Sequence, residues 1–333
     1  MKAILQELEK RILVLDGAMG TMIQTYQLSE EDYRGERFAT YASPLQGNND
    51  LLSITQPDII EEIHRKFLTA GADIIETNTF SGTSIAMADY GMEDLVYELN
   101  YKSAVIAKRL AKAFTSQNPE KPRFVAGSIG PTNKTASLSP DVNQPGYRSI
   151  TFEELRLAYK EQIYALIDGR VDLLLVETIF DTLNAKAALF AIEEVKDERN
   201  LNIPIMVSGT ITDASGRTLS GQTVEAFLIS ISHLPLLSVG FNCALGAQQL
   251  KPYIQRLAHE TSFYTSVYPN AGLPNAFGAY DQSAKEMQEL IKAYLEEGLV
   301  NIVGGCCGTT PEHIQAIAEI ASQFSPRTIQ NYA

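Results

Sequence analysis

Short apolar runs recur at wide intervals along the chain, and each is followed by a segment whose apolar residues have helical spacing. This alternation is typical of parallel strands joined by crossover helices. Eight runs have the length and the Val, Ile and Leu content of buried strands. They cover residues 12–16, 72–77, 124–129, 171–177, 203–209, 236–242, 263–268 and 299–304. The pattern therefore predicts eight βα units.

Helix start signals lie between the predicted strands. Thr151 with Glu154 and Ser283 with Glu286 match the capping box, in which a hydroxyl and a carboxylate satisfy free backbone donors. Pro57 fits the first turn of a helix, where a missing N–H is tolerated. Eight such units in a chain of this length predict a (β/α)8 TIM barrel, with its active site at the carboxyl ends of the strands. An open doubly wound sheet is the alternative.

No linker, low-complexity tract or charge block interrupts the alternation, so residues 1–333 are predicted to form one domain. Residues 1–11 carry Ile4, Leu5 and Leu8 at helical spacing, and we expect them to form a helix that closes the bottom of the barrel. Two connections, 20–55 and 130–150, are long and polar and follow strand ends. Loops of that length are usually functional, which agrees with their place on the predicted active face.

Composition and charge narrow the function classes. The chain is 45% hydrophobic and has a formal charge of −13, which opposes binding to nucleic acid or to an anionic membrane surface. Charged residues near the start exclude a secretory signal, and no stretch is apolar enough to span a membrane. Only three cysteines are present, which favours a reducing compartment over a disulfide framework. We expect a cytoplasmic enzyme.

The cysteines themselves suggest a metal site. Cys243, Cys306 and Cys307 follow the sixth and eighth predicted strands, so their thiols can converge. Three soft thiolates suit Zn²⁺ and leave a fourth tetrahedral position for a substrate. Adjacent residues of a regular strand point to opposite faces, so we expect Gly304, Gly305 and Gly308 to let the chain turn and aim both thiols inward. Buried inert thiols and a vicinal disulfide are the alternatives.

Other polar side chains also end predicted strands. They are Asp16, Glu76, Thr77, Asn78, Glu177, Thr178, Asn242 and Asn270. A carboxylate such as Glu177 could bind a substrate ammonium, and the turn amides of residues 17–20 could bind a carboxylate, so the set suits an amino acid. The four histidines show no metal-ligand spacing, and no nucleophile elbow, GxGxxG or P-loop motif is present.

Several strings carry a resemblance to a known family. They are the segments 16–21, 71–80, 176–178, 240–243 and 304–308, and they resemble the homocysteine S-methyltransferase family over nearly the whole chain. Within it, segments 47–50, 130–135 and 208–222 are similar to the N-terminal, homocysteine-binding module of cobalamin-dependent methionine synthase.

The resemblance implies a zinc ion on Cys243, Cys306 and Cys307, with the homocysteine sulfur as the exchangeable ligand. It implies Asp16 and Glu177 near the substrate ammonium and the turn of Gly17, Ala18 and Met19 near its carboxylate. Asn270 would be a neighbouring substrate contact. The family commonly has a second glycine where this chain has Ala18.

The resemblance also implies that the methyl donor is methylcobalamin carried on another module, beside a folate-binding module of the same enzyme. A stand-alone transferase that uses S-methylmethionine or betaine is the alternative. From the residues, two further classes stay open: a metal-free cysteine-nucleophile or redox enzyme, and a non-catalytic scaffold.

Overall fold

The computed structural model describes residues 2–212 and 215–329. Eight strands in these ranges all pair in parallel. They are β1 Leu13–Val14, β2 Ile74–Glu76, β3 Phe124–Ile129, β4 Leu173–Ile179, β5 Ile205–Gly209, β6 Ser238–Gly246, β7 Tyr264–Asn270 and β8 Ile302–Val303. Their order in the sheet is β1-β8-β7-β6-β5-β4-β3-β2. A bridge between Leu15 and Ile74 brings β1 back to β2. The predicted TIM barrel is confirmed, and the open sheet is wrong.

Helices surround the strands, and every strand is followed by at least one of them. Their bounds are α1 Lys2–Lys10, α2 Met19–Gln24, α3 Glu30–Arg34, α4 Leu52–Thr55, α5 Pro57–Ala70, α6 Ser84–Met87, α7 Val96–Gln117, α8 Phe152–Asp168, α9 Thr182–Arg199, α10 Val224–Ile231, α11 Ala247–Glu260, α12 Ala284–Glu296 and α13 Pro311–Ala321. Single 3-10 turns cover Asn49–Leu51, Ala88–Tyr90 and Glu93–Leu95. None of the helices in the described part of the chain is long and apolar enough to cross a bilayer.

Local sequence accounts for the helix boundaries. Helix α5 begins with Pro57 in its first turn and ends at Gly71, whose φ of 112° closes the last turn. Its buried stripe faces the sheet and includes Ile63 and Phe67. The capping boxes predicted at Thr151 and Ser283 are both formed, at the starts of α8 and α12.

The barrel interior is packed at its amino-terminal end and polar at its carboxyl end. Ile4 and Leu8 of α1 pack with the inward-facing side chains of the strands, such as Leu13 and Leu175. Helix α1 therefore covers the bottom of the barrel and leaves the carboxyl ends of the strands for the site. That residues 1–333 form one domain stays a prediction.

The two long connections differ in structure. Residues 20–55 were predicted as a polar loop, but they contain most of α2 and all of α3 and α4. The Ser29 hydroxyl and the Asp32 carboxylate form a capping box that starts α3, a local signal that accounts for one of these helices. Residues 130–150 contain no helix or strand. Both connections contribute to the wall of the cavity described next.

Candidate active site

A cavity of about 880 Å³ opens at the carboxyl ends of the strands. Its wall includes the turn after β1, the end of β2 and the loop after β8. Cys243, Cys306 and Cys307 lie in this wall, as do Asp16 and Glu177. The structure therefore brings residues from distant parts of the chain to the face that the barrel prediction assigned to the active site.

The three cysteine sulfurs converge. They all lie within 4.8 Å of one another, and the Sγ atoms of Cys243 and Cys307 are 3.8 Å apart. Sulfurs bound tetrahedrally at about 2.3 Å from a zinc ion would be about 3.8 Å apart. No disulfide links the cysteines, so the vicinal disulfide weighed from the sequence is not formed.

Backbone geometry at two strand ends aims these thiols. Strand β6 shifts register between Asn242 and Gly246, and Cys243 there has a φ of 60°. That left-handed conformation is uncommon outside glycine, and such strain is concentrated at functional sites. After β8, Gly308 has a φ of 80°, which a glycine adopts without strain.

Gly308 provides the predicted turn, but Gly305 has another role. Gly305 has no left-handed φ, and a Cβ on it would lie 2.6 Å from the Thr309 side chain. Thr309 in turn donates a hydrogen bond to the carbonyl of Cys306 and accepts one from the N–H of Ala18. Gly305 is therefore required for close packing that joins the cysteine loop to the turn after β1.

The pKa values of the three thiols differ because the sulfurs hydrogen-bond to one another. Hydrogen bonds from Cys243 and then Cys306 lower the pKa of Cys307 to about 3. The hydrogen bonds with Cys243 and Cys307, together with burial, raise the pKa of Cys306 well above its usual value. Three ionised thiolates at this spacing require a compensating cation. The donor type and the separation of the sulfurs both fit zinc.

Three carboxyl side chains lie beside the thiols. Asp16 and Glu177 are buried and Glu76 is half-buried, and loss of contact with water is the largest cause of a raised pKa in each. The pKa of Glu177 rises to about 7, and the other two are raised well above their usual values. Mutual repulsion adds to the effect, and the Glu76 carboxyl shares a hydrogen bond with Glu177. The cluster therefore favours a bound cation, which would let the carboxyls ionise.

Glu177 is held in place by neighbouring strands. The Ser128 hydroxyl donates to its Oε1, and the Tyr268 hydroxyl lies 3.4 Å from its Oε2. Strand β4 shifts register between Val176 and Ile179, the stretch that contains Glu177, and Thr178 there has a φ of 54°. This irregularity puts the Glu177 carboxyl in the cavity wall.

The described residues that line the cavity give it an acidic character. None of the described residues in its wall is Lys, Arg or His, whereas Asp50 and Asp89 add two more carboxyls to the cluster. Asp50 is buried, which raises its pKa to about 7 although it accepts a hydrogen bond from the N–H of Ser81. The electrostatics of the cavity favour a ligand that carries positive charge.

The turn after β1 also lines the cavity. Gly17, Ala18 and Met19 all contribute to the wall, and the N–H of Ala18 donates to Thr309 Oγ1 at 3.2 Å. Ala18 has a φ of −69°, so alanine fits here without left-handed strain. A Cβ on Gly17 would lie 2.7 Å from the Phe67 ring, so this position accepts only glycine without a shift of its neighbours.

Asn270 differs from the other predicted contacts because it does not line the cavity. It is buried at the end of β7, and its Oδ1 has no hydrogen-bond partner among the described residues. The following N–H, from Ala271, donates to the carbonyl of Cys307. Asn270 is thus close to the cysteine loop, and its role as a substrate contact stays a prediction.

Comparison with known proteins identifies the family. The model of the homocysteine S-methyltransferase family matches residues 13–321, which include the whole barrel. The chain belongs to the homocysteine S-methyltransferase family. Membership supports the methyltransferase class and homocysteine as substrate, and it agrees with the resemblance seen in the sequence.

Solved structures of a homocysteine methyltransferase share the fold of this chain. The metallated form of the homocysteine methyltransferase MmuM from Escherichia coli is 24% identical, with a TM-score of 0.72. Its oxidized form is 23% identical, with a TM-score of 0.73. In both comparisons the match covers 96% of this chain and 98% of that chain.

Some residues of the candidate site in this homocysteine S-methyltransferase family member have no role that the sequence assigns. Glu76 and Asn242 were recognised only as polar residues at strand ends, and Ser128 and Tyr268 were not recognised at all. The position of Glu76 at the end of β2 was a usable signal because barrel sites are built from such residues. Nothing local marks Ser128 or Tyr268, whose relevance comes only from their contacts with Glu177.

Proposed function

We propose that this chain binds homocysteine and presents its sulfur, as a thiolate, to an electrophilic methyl group, so that methionine is formed. One observation carries the proposal. Three cysteine sulfurs converge beside a buried group of carboxyls, at the mouth of a barrel that belongs to this family. The thiols suit zinc, and the carboxyls suit the ammonium of an amino acid.

Cys243, Cys306 and Cys307 would hold the zinc ion. When bound, zinc supplies the Lewis acidity that makes a thiol ionise at neutral pH. A free thiol with a pKa of about 8.5 is only about 3% ionised at pH 7. Complete ionisation would therefore increase the rate by about 30-fold, equivalent to about 2 kcal/mol.

The remaining residues would orient the substrate. Asp16 and Glu177 would pair with its ammonium, and Glu76, which bonds to Glu177, would complete that group. The turn of Gly17, Ala18 and Met19 would face the substrate carboxylate. The substrate sulfur would then attack the methyl carbon in line, forming the S–C bond while the donor keeps the electron pair of the broken bond.

We propose methylcobalamin, carried on another module, as the methyl donor, with a folate-binding module supplying the methyl group to it. The support is the similarity of segments 47–50, 130–135 and 208–222 to the homocysteine-binding module of cobalamin-dependent methionine synthase. The cysteines must stay reduced for zinc binding, so we place the reaction in the cytoplasm.

A second donor class is favoured by the charge of the cavity. Asp50 and Asp89 line it and no described lining residue is basic, so the sulfonium or quaternary ammonium centre of a small donor such as S-methylmethionine or betaine would be attracted. Methylcobalamin and the two small donors can be compared directly in one assay of methionine formation. Methyl transfer from methylcobalamin alone would support the first proposal. Methyl transfer from one of the small donors alone would replace it with the second.

X-ray absorption at the zinc edge tests the metal and substrate parts. We expect about one zinc per chain with three sulfur neighbours, and a selenium neighbour after addition of selenohomocysteine. A Cys243→Ala variant is the matched control, and its zinc content should fall below one per chain. Absence of zinc would favour a metal-free cysteine enzyme, and zinc without any response to selenohomocysteine would favour a scaffold.

A further inference from the structure

Asn242 joins the two halves of the proposed site. Its side chain is fully buried at the last regular position of β6. Its Oδ1 accepts hydrogen bonds from Ser208 Oγ at 2.6 Å and from the N–H of Thr178 at 3.1 Å. Its Nδ2 donates to Thr178 Oγ1 at 2.8 Å and lies 3.9 Å from Cys306 Sγ, within reach of a hydrogen bond to the large sulfur atom. Both N–H groups and both lone pairs of the amide are therefore used.

The orientation of this amide is fixed by its neighbours. The backbone N–H of Thr178 can only donate, so it must meet the oxygen of Asn242 rather than the nitrogen. With Oδ1 held on that side, the remaining N–H of Nδ2 is directed at Cys306. A flipped amide would place an oxygen against the sulfur and an N–H against an N–H.

The bond to Cys306 acts on the metal site. An N–H dipole that points at a thiolate stabilises its negative charge and reduces the charge that it donates to a metal. Such outer partners of metal ligands typically change metal affinity or activity by about 10- to 100-fold. Among the described residues, Asn242 supplies the side-chain N–H that contacts the sulfur of Cys306.

The hydrogen bonds from Asn242 to Thr178 affect the position of the Glu177 carboxyl. Thr178 directly follows Glu177 and has a left-handed φ of 54°, a conformation that a β-branched residue adopts only under external constraint. Asn242 bonds both the N–H and the hydroxyl of Thr178. The same amide therefore holds the strand irregularity that directs Glu177 into the cavity.

We propose that Asn242 is a positioning residue that couples the carboxyl group for the substrate ammonium to the thiolate charge at the metal. This inference rests on the proposed function. Its consequence is that one substitution at position 242 alters two properties together: the electronic state of the metal–thiolate site and the affinity for the amino group of homocysteine.

Cobalt-substituted protein provides the first test. In Asn242→Ala the sulfur of Cys306 loses its N–H donor, so the sulfur-to-cobalt charge-transfer band should move to longer wavelength. Homocysteine affinity should fall by about 10-fold or more, in the range typical of outer partners. A ligand with the thiol but without the amino group should lose less affinity than homocysteine. A folded, cobalt-loaded variant with an unchanged band and unchanged homocysteine affinity would overturn the proposal.

Two further variants separate charge effects from loss of packing. Asn242→Asp keeps the size of the side chain but puts an oxygen against Cys306, so it should move the band at least as far as Asn242→Ala. Ser208→Ala is the matched control, because it removes one bond to Oδ1 and leaves Thr178 to orient the amide. Its band should stay in place, and an equal shift in Ser208→Ala would overturn the specific role of the Cys306 bond.

One measurement needs no variant. In protein loaded with ¹¹³Cd, scalar coupling between the metal and one Nδ2 proton of Asn242 should be detectable across the sulfur, and its absence would overturn the hydrogen bond. The outcomes separate the two proposals. Metal binding with no coupling and no band shift would remove the role of Asn242 alone, whereas failure of the three cysteines to bind any metal would overturn the proposed function as well.

Discussion

Replacing Glu177 with glutamine should make the metal-free protein more stable while it weakens homocysteine binding. Glu177 is buried, and its pKa rises from 4.5 to about 7, chiefly because burial disfavours the charged form. One pKa unit corresponds to about 1.4 kcal/mol, so keeping this carboxyl ionised in the folded chain costs about 3 kcal/mol. The neutral amide of Glu177→Gln avoids this cost and can still bond to Ser128 and Tyr268.

The sign of the effect gives it a pH signature. Between pH 4.5 and about 7 the folded chain binds more protons at Glu177 than the unfolded chain does. The free energy of unfolding of the parent therefore falls as the pH rises through this window. Glu177→Gln should be more stable than the parent by up to about 3 kcal/mol at pH 8 and by only about 1 kcal/mol at pH 5.

Chemical denaturation of the metal-free proteins at pH 5 and pH 8 measures this difference. Glu120→Gln, at an exposed position, is the control, and its difference in stability from the parent should be the same at both pH values. Equal stabilities of Glu177→Gln and the parent at both pH values would refute the reasoning, because burial would then not disfavour ionisation of the Glu177 carboxyl.

The binding half of the prediction uses two ligands. Loss of the partner of a buried charge costs about 2–5 kcal/mol, so homocysteine should bind Glu177→Gln at least about 30-fold more weakly. A mercaptobutanoate, which lacks the ammonium, should bind parent and variant alike. Equal weakening of both ligands would show that Glu177 does not contact the ammonium.

Three further perturbations test the metal site and its support. Cys243→Ala should leave two sulfurs for the metal, so the zinc content measured by native mass spectrometry should fall below one per chain. Methyl transfer should fall by at least about 100-fold, because removal of a ligand costs more than removal of an outer partner of a ligand. Gly305→Ala would put a Cβ 2.6 Å from the Thr309 side chain, so we expect the free energy of unfolding to fall by about 1–3 kcal/mol and zinc affinity to fall with it; an unchanged affinity in chelator competition would contradict this. After chelation of zinc, Cys307 should be alkylated rapidly at pH 6, because its pKa of about 3 keeps it a thiolate. Added zinc should prevent this alkylation. Equal alkylation rates with and without zinc would show that the metal does not bind this thiol.

Local sequence was sufficient for the architecture. The eight apolar runs became the eight strands because each is followed by an amphipathic segment that must cover it, and parallel strands need such crossovers. The observed strand boundaries differ from the predicted ones where tertiary contacts affect the strand ends. Strand β6 continues to Gly246 through a register shift, and β8 contains only Ile302–Val303, since both ends adapt to the cysteine loop.

The site was predictable only in its chemically distinctive members. Cysteines are rare here and glycines flank two of them, so the thiols could be chosen from spacing and residue type alone. Carboxylates are common, and the position of Glu76 at a strand end marks it as a candidate without assigning it a role. Its relevance arises because β2 lies where Asp16 and Glu177 can both act on its carboxyl.

By itself, the sequence determined the (β/α)8 barrel, the face that holds the site and the three thiols, since hydrophobic period, capping and soft donor atoms are properties of short segments. The tertiary structure alone decided the 3.8 Å separation of two sulfurs, the raised pKa of Glu177, the place of Asn270 behind the cavity wall and the fixed amide of Asn242. These depend on burial and on contacts between residues far apart in the chain, so no local pattern encodes them.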